Sequence, residues 1–71
     1  MKLYTTNNCS VCESSKALIK DKNLDVEIIH IDMETREGRD IAMNNRIMWA
    51  PVLDADKRYI GWDVITYLTS L

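Results

Sequence analysis

The chain's two cysteines stand three positions apart within residues 5–23, TTNNCSVCESSKALIKDKN. The Asn and Ser residues around the first cysteine favour turns and helix caps, so a loop is expected there. From about Ser10 to Lys22 the sequence then predicts a helix, because apolar and small side chains recur at helical spacing. This stripe consists of Val11, Ser14 or Ser15, Leu18 and Ile19. Cys9 and Cys12 therefore lie at the start of a predicted helix.

One strand is predicted before this helix in the sequence and another after it. KLYT, residues 2–5, combines Leu3 and Tyr4 with a β-friendly Thr. VEIIHID, residues 26–32, places isoleucines on both of its faces, which is typical of a strand covered on each side. We therefore expect residues 26–32 to form a central strand that contains His30. Two strands joined through a helix should be parallel, with a right-handed crossover.

The next residues predict a second helix and a hairpin. Thr35 can cap a helix that runs to about Asn45, with Ile41 and Ala42 facing inward. PVLDADKRYIGW, residues 51–62, then predicts two short strands joined by a tight turn. Strands joined in this way should be antiparallel.

A third helix closes the chain. Asp63 can cap it, and its inward positions follow helical spacing: Val64, Tyr67, Leu68 and Leu71. The predicted order is therefore β-α-β-α-β-β-α, in an α/β domain that spans residues 1–71. Its size is near the lower limit for folding around one core without staples.

Composition and charge exclude several functions. The net charge of −2 and the absence of a basic run give no reason to expect nucleic-acid binding. The longest apolar runs are too short to cross a membrane, and the first residues do not form a signal peptide. A reducing, cytoplasmic location is therefore expected, and a disulfide that closes only a few residues would add little stability.

The position of Cys9 at a helix start predicts a reactive thiol. Unpaired backbone N–H groups and the positive end of the helix dipole both favour thiolate over thiol. Such placement lowers the pKa of a cysteine from about 8.5 to between roughly 3.5 and 7.5. We therefore predict that Cys9 is the nucleophile. Cys12, one turn further in, should be less exposed and should resolve a mixed disulfide by attacking the sulfur of Cys9.

Two cysteines at this spacing are also compatible with other functions. A closed zinc site takes four ligands, whereas this chain offers two Cys and His30, so no metal is expected within one chain. An iron–sulfur cluster shared between two chains stays open as an alternative, because two thiolates from each chain supply the four ligands. Two inert, buried cysteines in a non-catalytic interaction domain are the third reading.

Beyond the cysteine motif, the chain resembles a glutaredoxin, within the thioredoxin superfamily. The resemblance covers essentially the whole length and is carried by three segments: KLYTTNNCSVCESSKALI at 2–19, WAPVL at 49–53 and YIGWDVITYL at 59–68. It implies a thioredoxin-like fold with a four-stranded mixed sheet, helices on both faces and the two cysteines at one edge.

The resemblance also implies a substrate-binding turn. Pro51 matches a family proline whose peptide bond is cis, and the backbone of Ala50 would then pair with an extended substrate peptide or with glutathione. Trp49 takes the place of the family's Thr, where a large side chain near Cys9 could narrow the groove or add a contact surface. These three residues are expected to contact substrate.

The turn before the last helix is the second expected binding element. Gly61 and Asp63 match a Gly-Gly-x-Asp pattern in which Ile60 replaces the first glycine. By this resemblance Asp63 would cap the helix and receive the amino group of glutathione. Trp62 would belong either to the core or to an apolar rim that docks a partner, and we favour the rim.

The chain departs from glutathione-using relatives at the cysteine motif. It lacks a Lys shortly before Cys9 and a Pro-Tyr pair between the cysteines, so Arg46 on the second helix and Arg58 are the remaining cations for a glutathione carboxylate. In these departures the chain resembles short redoxins that donate electrons to ribonucleotide reductase. Those redoxins are recharged by thioredoxin reductase.

Together these points predict a monomeric thiol–disulfide oxidoreductase without a tightly bound cofactor. It would reduce protein disulfides, including that of ribonucleotide reductase, or glutathione mixed disulfides. Its own disulfide would be reduced by glutathione or by thioredoxin reductase.

Overall fold

A computed structural model describes all 71 residues of the chain. Its elements are β1 (Lys2–Thr6), α1 (Ser10–Asp21), β2 (Glu27–Ile31), α2 (Arg36–Asn44), β3 (Val52–Asp54), β4 (Arg58–Ile60) and α3 (Trp62–Ser70). This order confirms the predicted β-α-β-α-β-β-α arrangement.

The four strands form one mixed sheet in the order β2-β1-β3-β4. β1 runs parallel to β2, whereas β3 is antiparallel to both of its neighbours, β1 and β4. The predicted pair directions are therefore confirmed, and the topology is that of the expected thioredoxin-like fold.

The prediction that residues 26–32 form a central strand is wrong. β2 lies at an edge, because β3 pairs with the free side of β1 rather than with β2. Ile31 is the one fully buried residue of β2, while Ile28 is 42% exposed and His30 is exposed. Ile29 and Ile31 pack in the apolar cluster that contains Ala42 of α2, whereas Ile28 on the other face belongs to no buried cluster.

The sheet separates two apolar clusters. On one face α1 and α3 pack over the sheet through Leu3, Ile19, Leu53, Val64 and Leu68. On the other face α2 and the segment after it contribute to a second cluster of Tyr4, Ile31, Ala42, Ile47 and Val52. Successive β1 residues alternate between the two faces, as side chains along a strand must.

The start of α2 is defined by a cap and by a glycine. Thr35 Oγ1 accepts a hydrogen bond of 2.9 Å from the N–H of Gly38, which confirms the predicted cap. Gly38 is buried, and a Cβ there would overlap the backbone carbonyl of Asp32. The absence of a side chain at position 38 is therefore what lets α2 pack against the end of β2.

The prediction that Asp63 caps α3 is wrong. The cap residue is Gly61, with φ 63° and ψ −130°, and no side chain makes a capping hydrogen bond. A glycine tolerates this positive φ without steric cost, so the helix begins at Trp62 and Asp63 falls in its first turn. Leu71 lies beyond the helix and is 49% exposed rather than facing inward.

Candidate active site

The predicted site residues come together at one end of the strands. Tyr4 of β1 pairs with Val52 of β3, and Val52 pairs with Ile60 of β4. The end of β1, the start of β3 and the end of β4 therefore meet at this end of the sheet. The cysteine loop follows β1 directly, and the Ala50–Pro51 turn directly precedes β3. The turn before α3 follows β4.

The two cysteines occupy the first turn of α1. Their sulfur atoms are joined in a disulfide, and their Cα atoms are 5.2 Å apart. Cys12 is 1% exposed, whereas Cys9 is partly exposed. The expected difference in accessibility between the two thiols is therefore present.

Cys9 is the N-cap residue of α1. Its Sγ accepts a hydrogen bond of 3.1 Å from the backbone N–H of Cys12. In the reduced protein this N–H and the positive end of the helix would favour a thiolate at Cys9. Glu13 lies in the same turn and would oppose a second negative charge, but its carboxylate is paired with Lys16 at 3.0 Å.

The turn before β3 presents unpaired backbone groups. The Ala50–Pro51 peptide bond is cis, as the resemblance predicts. Pro51 is buried, and its carbonyl accepts a hydrogen bond of 2.9 Å from the N–H of Gly61, so the two turns are tied together. The N–H and C=O of Ala50 make no hydrogen bond within the chain, which leaves both available to a bound segment.

An apolar groove of about 220 Å³ borders this turn. Its lining consists of Thr6, Met33, Ile47, Met48, Trp49 and Ala50. Met48 is 82% exposed and Trp49 is 67% exposed, so large apolar side chains stand free at the rim of the groove. The family resemblance predicted Trp49 and Ala50 as substrate contacts but did not indicate Met33 or Met48.

Trp62 and Asp63 lie at the same end of the sheet. Trp62 is 71% exposed, so it does not belong to the core. The carboxylate of Asp63 is exposed and makes no hydrogen bond or ion pair within the chain, so it is accessible to a ligand.

The two candidate cations differ in availability. Arg58 makes two hydrogen bonds to the carboxylate of Asp54, at 2.7 and 2.9 Å, and a third of 3.1 Å to the carbonyl of Arg46. Hydrogen bonding to Arg58 lowers the pKa of Asp54, so the pair favours its charged form. Arg46 follows α2 instead of lying on it, and its side chain has no ion-pair partner. Arg46 is therefore the cation left free for an anionic ligand.

A polar bridge holds the loop before Cys9. His30 Nε2 lies 2.7 Å from Asn7 Oδ1, and Asn7 Nδ2 donates to Asp32 Oδ1 at 3.1 Å. His30 Nδ1 lies 3.2 Å from the hydroxyl of Thr5. The sequence placed His30 in a strand but did not indicate this bridge, which depends on the pairing of Thr5 with His30 across β1 and β2.

The structure contains neither a cluster of metal ligands nor a membrane-spanning helix. No group of three or more His, Cys, Asp or Glu side chains is arranged to hold a metal ion. None of the three helices has the length and apolar character needed to cross a membrane.

Comparison with known proteins identifies a family for the chain. The family model described as Glutaredoxin matches residues 1–60. This range runs from β1 through β4 and includes both cysteines, the Ala50–Pro51 turn and the apolar groove. No curated protein matches the chain.

Proposed function

Because the chain belongs to the glutaredoxin family, we propose that it is a thiol–disulfide oxidoreductase that acts on protein disulfides. The observation that carries this proposal is the contrast between the two thiols. Cys9 is partly exposed at the start of α1, and its disulfide partner Cys12 is buried one turn further in. A nucleophile needs access to the substrate, whereas a resolving thiol needs access only to the nucleophile.

The proposed reaction transfers two electrons to the substrate. The Cys9 thiolate attacks one sulfur of the substrate disulfide, forms a mixed disulfide and releases the other sulfur as a thiolate. Cys12, as its thiolate, then attacks Sγ of Cys9 and releases the second substrate thiolate. Both released thiolates take up protons from solvent, and the chain is left with the Cys9–Cys12 disulfide.

The groove beside Ala50 supports a protein segment as the substrate. The free N–H and C=O of Ala50 can pair with one extended residue of an incoming chain, as in strand addition. The apolar lining of Met33, Met48 and Trp49 can cover a neighbouring side chain of that segment. Trp62, exposed just after the turn that is tied to Pro51, offers a further apolar surface to such a segment. These contacts suit a polypeptide that flanks a disulfide.

The chain offers few groups to glutathione, which family members typically use. Arg58 is held by Asp54, and no Lys precedes Cys9. Arg46 and Asp63 remain for its carboxylates and amino group. We therefore propose a flavoprotein reductase of the thioredoxin reductase type as the main reductant, and the disulfide of ribonucleotide reductase as one substrate.

The test compares two ways of reducing the oxidised protein. Glutathione with glutathione reductase and NADPH forms one assay, and thioredoxin reductase with NADPH forms the other, each coupled to a model protein disulfide. We expect turnover in both assays to require Cys9, with the higher rate in the second assay. Turnover that is unchanged in Cys9→Ser would overturn the oxidoreductase proposal. A higher rate with glutathione would overturn the choice of reductant.

Arg46 allows a sharper test of glutathione binding. If Arg46 binds a carboxylate of glutathione, Arg46→Gln should raise the KM for glutathione. Arg36→Gln is the matched control, because Arg36 is also exposed and lacks an ion-pair partner but lies in the first turn of α2. Equal KM values for the wild type and both variants are the result expected from a protein reductase as the natural partner.

A further inference from the structure

We propose that His30 is a positioning residue for Cys9, acting through the side chain of Asn7. The inference rests on the proposed function only in giving Cys9 a catalytic role. It assigns a purpose to the chain's single histidine, which lies on β2 and does not reach the reacting sulfurs by any hydrogen bond.

The directions of the hydrogen bonds follow from the amide of Asn7. Its Nδ2 donates to the carboxylate of Asp32, so its Oδ1 faces His30 and can only accept. His30 Nε2 must then carry the proton and donate across the 2.7 Å contact. His30 Nδ1 pairs with the hydroxyl of Thr5, 3.2 Å away. The polar side-chain atoms of His30, Asn7 and Thr5 thus all have a hydrogen-bond partner.

The bridge supplies the only hydrogen bonds of the two loop residues that precede Cys9. The backbone N–H and C=O groups of Asn7 and Asn8 make no hydrogen bond within the chain. Asn8 also has a φ of 55°, a conformation that asparagine tolerates better than most residues. The path of the chain into Cys9 thus depends on the Asn7 side chain, which His30 and Asp32 hold from the end of β2.

The consequence concerns the sulfur of Cys9. Its hydrogen bond from the N–H of Cys12 requires the cap geometry at the start of α1. If the loop before Cys9 is free to move, this geometry is populated for less of the time and the thiolate is less stabilised. A hydrogen bond with a net value of about 1 kcal/mol corresponds to roughly a fivefold change in such a population.

The test is a double-mutant cycle on His30 and Asn7. The variants are His30→Val, Asn7→Ala and their combination, with His30→Gln as the conservative replacement, because a Gln side chain also presents an N–H donor. Ile28→Val is the matched control, since Ile28 lies two residues away on β2 and is likewise exposed. The readouts are the rate constant for alkylation of Cys9 in the reduced protein and kcat/KM for reduction of a protein disulfide, with thermal unfolding measured in parallel.

We expect His30→Val to lower the alkylation rate constant at pH 7 about fivefold. Asn7→Ala should lower it at least as much, because it also removes the bond to Asp32, and the double variant should lower it no further than Asn7→Ala. His30→Gln and Ile28→Val should stay within about twofold of the wild type, the usual effect of a surface change away from special features. Additive losses in the cycle, a His30→Gln variant as slow as His30→Val, or rates that do not change would each overturn the positioning role.

Alkylation also separates this inference from the proposed function. It reports the state of the Cys9 sulfur without any disulfide substrate. A wild-type protein that is alkylated readily but reduces no protein disulfide would contradict the proposed function, while the cycle would still decide the role of His30.

Discussion

The backbone N–H of Cys12 donates a hydrogen bond of 3.1 Å to Sγ of Cys9, at the first turn of α1. In the reduced protein this contact favours an anionic sulfur, so the pKa of Cys9 should lie below the value of about 8.5 for a free cysteine. The measurement is the pH dependence of alkylation of Cys9 in the Cys12→Ser variant. We expect a midpoint at least about one pH unit below that of a free thiol.

Cys12 provides the internal control for this prediction. In the Cys9→Ser variant the remaining thiol is 1% exposed and lies inside the helix, where burial opposes the charged form. It should be alkylated more slowly and with a higher midpoint. If the two midpoints coincide, the helix start does not activate Cys9.

The separate roles of the two thiols predict different products from their variants. Cys9→Ser should abolish disulfide reduction, because no accessible thiol remains to attack. Cys12→Ser should accumulate a mixed disulfide between Cys9 and the substrate, since no internal thiol can release it. Mass spectrometry of the intact protein after reaction with a disulfide substrate detects this adduct. Equal residual turnover in both variants would show that the roles are misassigned.

The apolar groove predicts an effect on substrate binding rather than on chemistry. Met48→Ser should raise the KM for a protein disulfide several-fold and leave kcat nearly unchanged, because full burial of a Met side chain is worth about 1.5–3 kcal/mol and a groove buries only part of it. Met43→Ser is the control, since Met43 is 76% exposed on α2 but does not line the groove. A similar rise in KM for both variants would indicate a general effect of surface polarity.

Local patterns in the sequence predicted the elements of the fold well. The cysteine spacing and the Thr35 cap each depend on residues within one turn of helix, so short-range rules apply to them. The position of β2 could not be predicted in the same way. It depends on β3 pairing with β1, a contact between distant segments that the isoleucine pattern of β2 does not encode.

The same limit applies to the candidate site. The motif identified Cys9 and Cys12, but the groove combines Met33, which follows β2, with Met48, which precedes β3. The bridge between Asn7 and His30 likewise requires the register of two strands. The prediction that Asp63 caps α3 was wrong for a local reason. Gly61 adopts a positive φ and is itself the cap residue, so α3 begins one residue before Asp63.

Gly38 predicts a destabilising substitution at the start of α2. Replacing Gly by Ala inside a helix would normally stabilise it by up to about 1 kcal/mol. At position 38 the added methyl group would overlap the carbonyl of Asp32, which also accepts hydrogen bonds from Thr35. Overpacking of this kind costs about 1–3 kcal/mol, so Gly38→Ala should lower the free energy of unfolding, measured in urea.

Ser14→Ala separates the two contributions at Gly38. Ser14 is an exposed residue of α1 without a side-chain hydrogen bond, so its replacement tests helix propensity alone. It should change the free energy of unfolding by no more than about 0.5 kcal/mol. A Gly38→Ala variant that is as stable as the wild type would show that α2 can move away from Asp32 without cost.

The ion pair between Asp54 and Arg58 predicts a pH-dependent contribution to stability. Hydrogen bonding to Arg58 lowers the pKa of Asp54 below its ordinary value of 3.8 in the folded protein. The unfolded chain therefore binds a proton at higher pH than the folded chain, so the pair's contribution is complete well above pH 3.8 and is lost as pH falls through the folded-state pKa. Asp54→Asn should consequently be less stable than the wild type at pH 7, with the difference disappearing in acid.

The size of this effect is limited by solvent. The side chains of Arg58 and Asp54 are 33% and 36% exposed, and exposed pairs contribute about 0–1 kcal/mol. Urea unfolding of both proteins at pH 7 and at pH 3, each at low and at high salt, measures the difference directly. Salt should reduce the difference at pH 7, because it screens exposed charges. An Asp54→Asn deficit that is as large at pH 3 as at pH 7 would mean that packing of the β3–β4 hairpin, and not the charge on Asp54, is what the substitution disturbs.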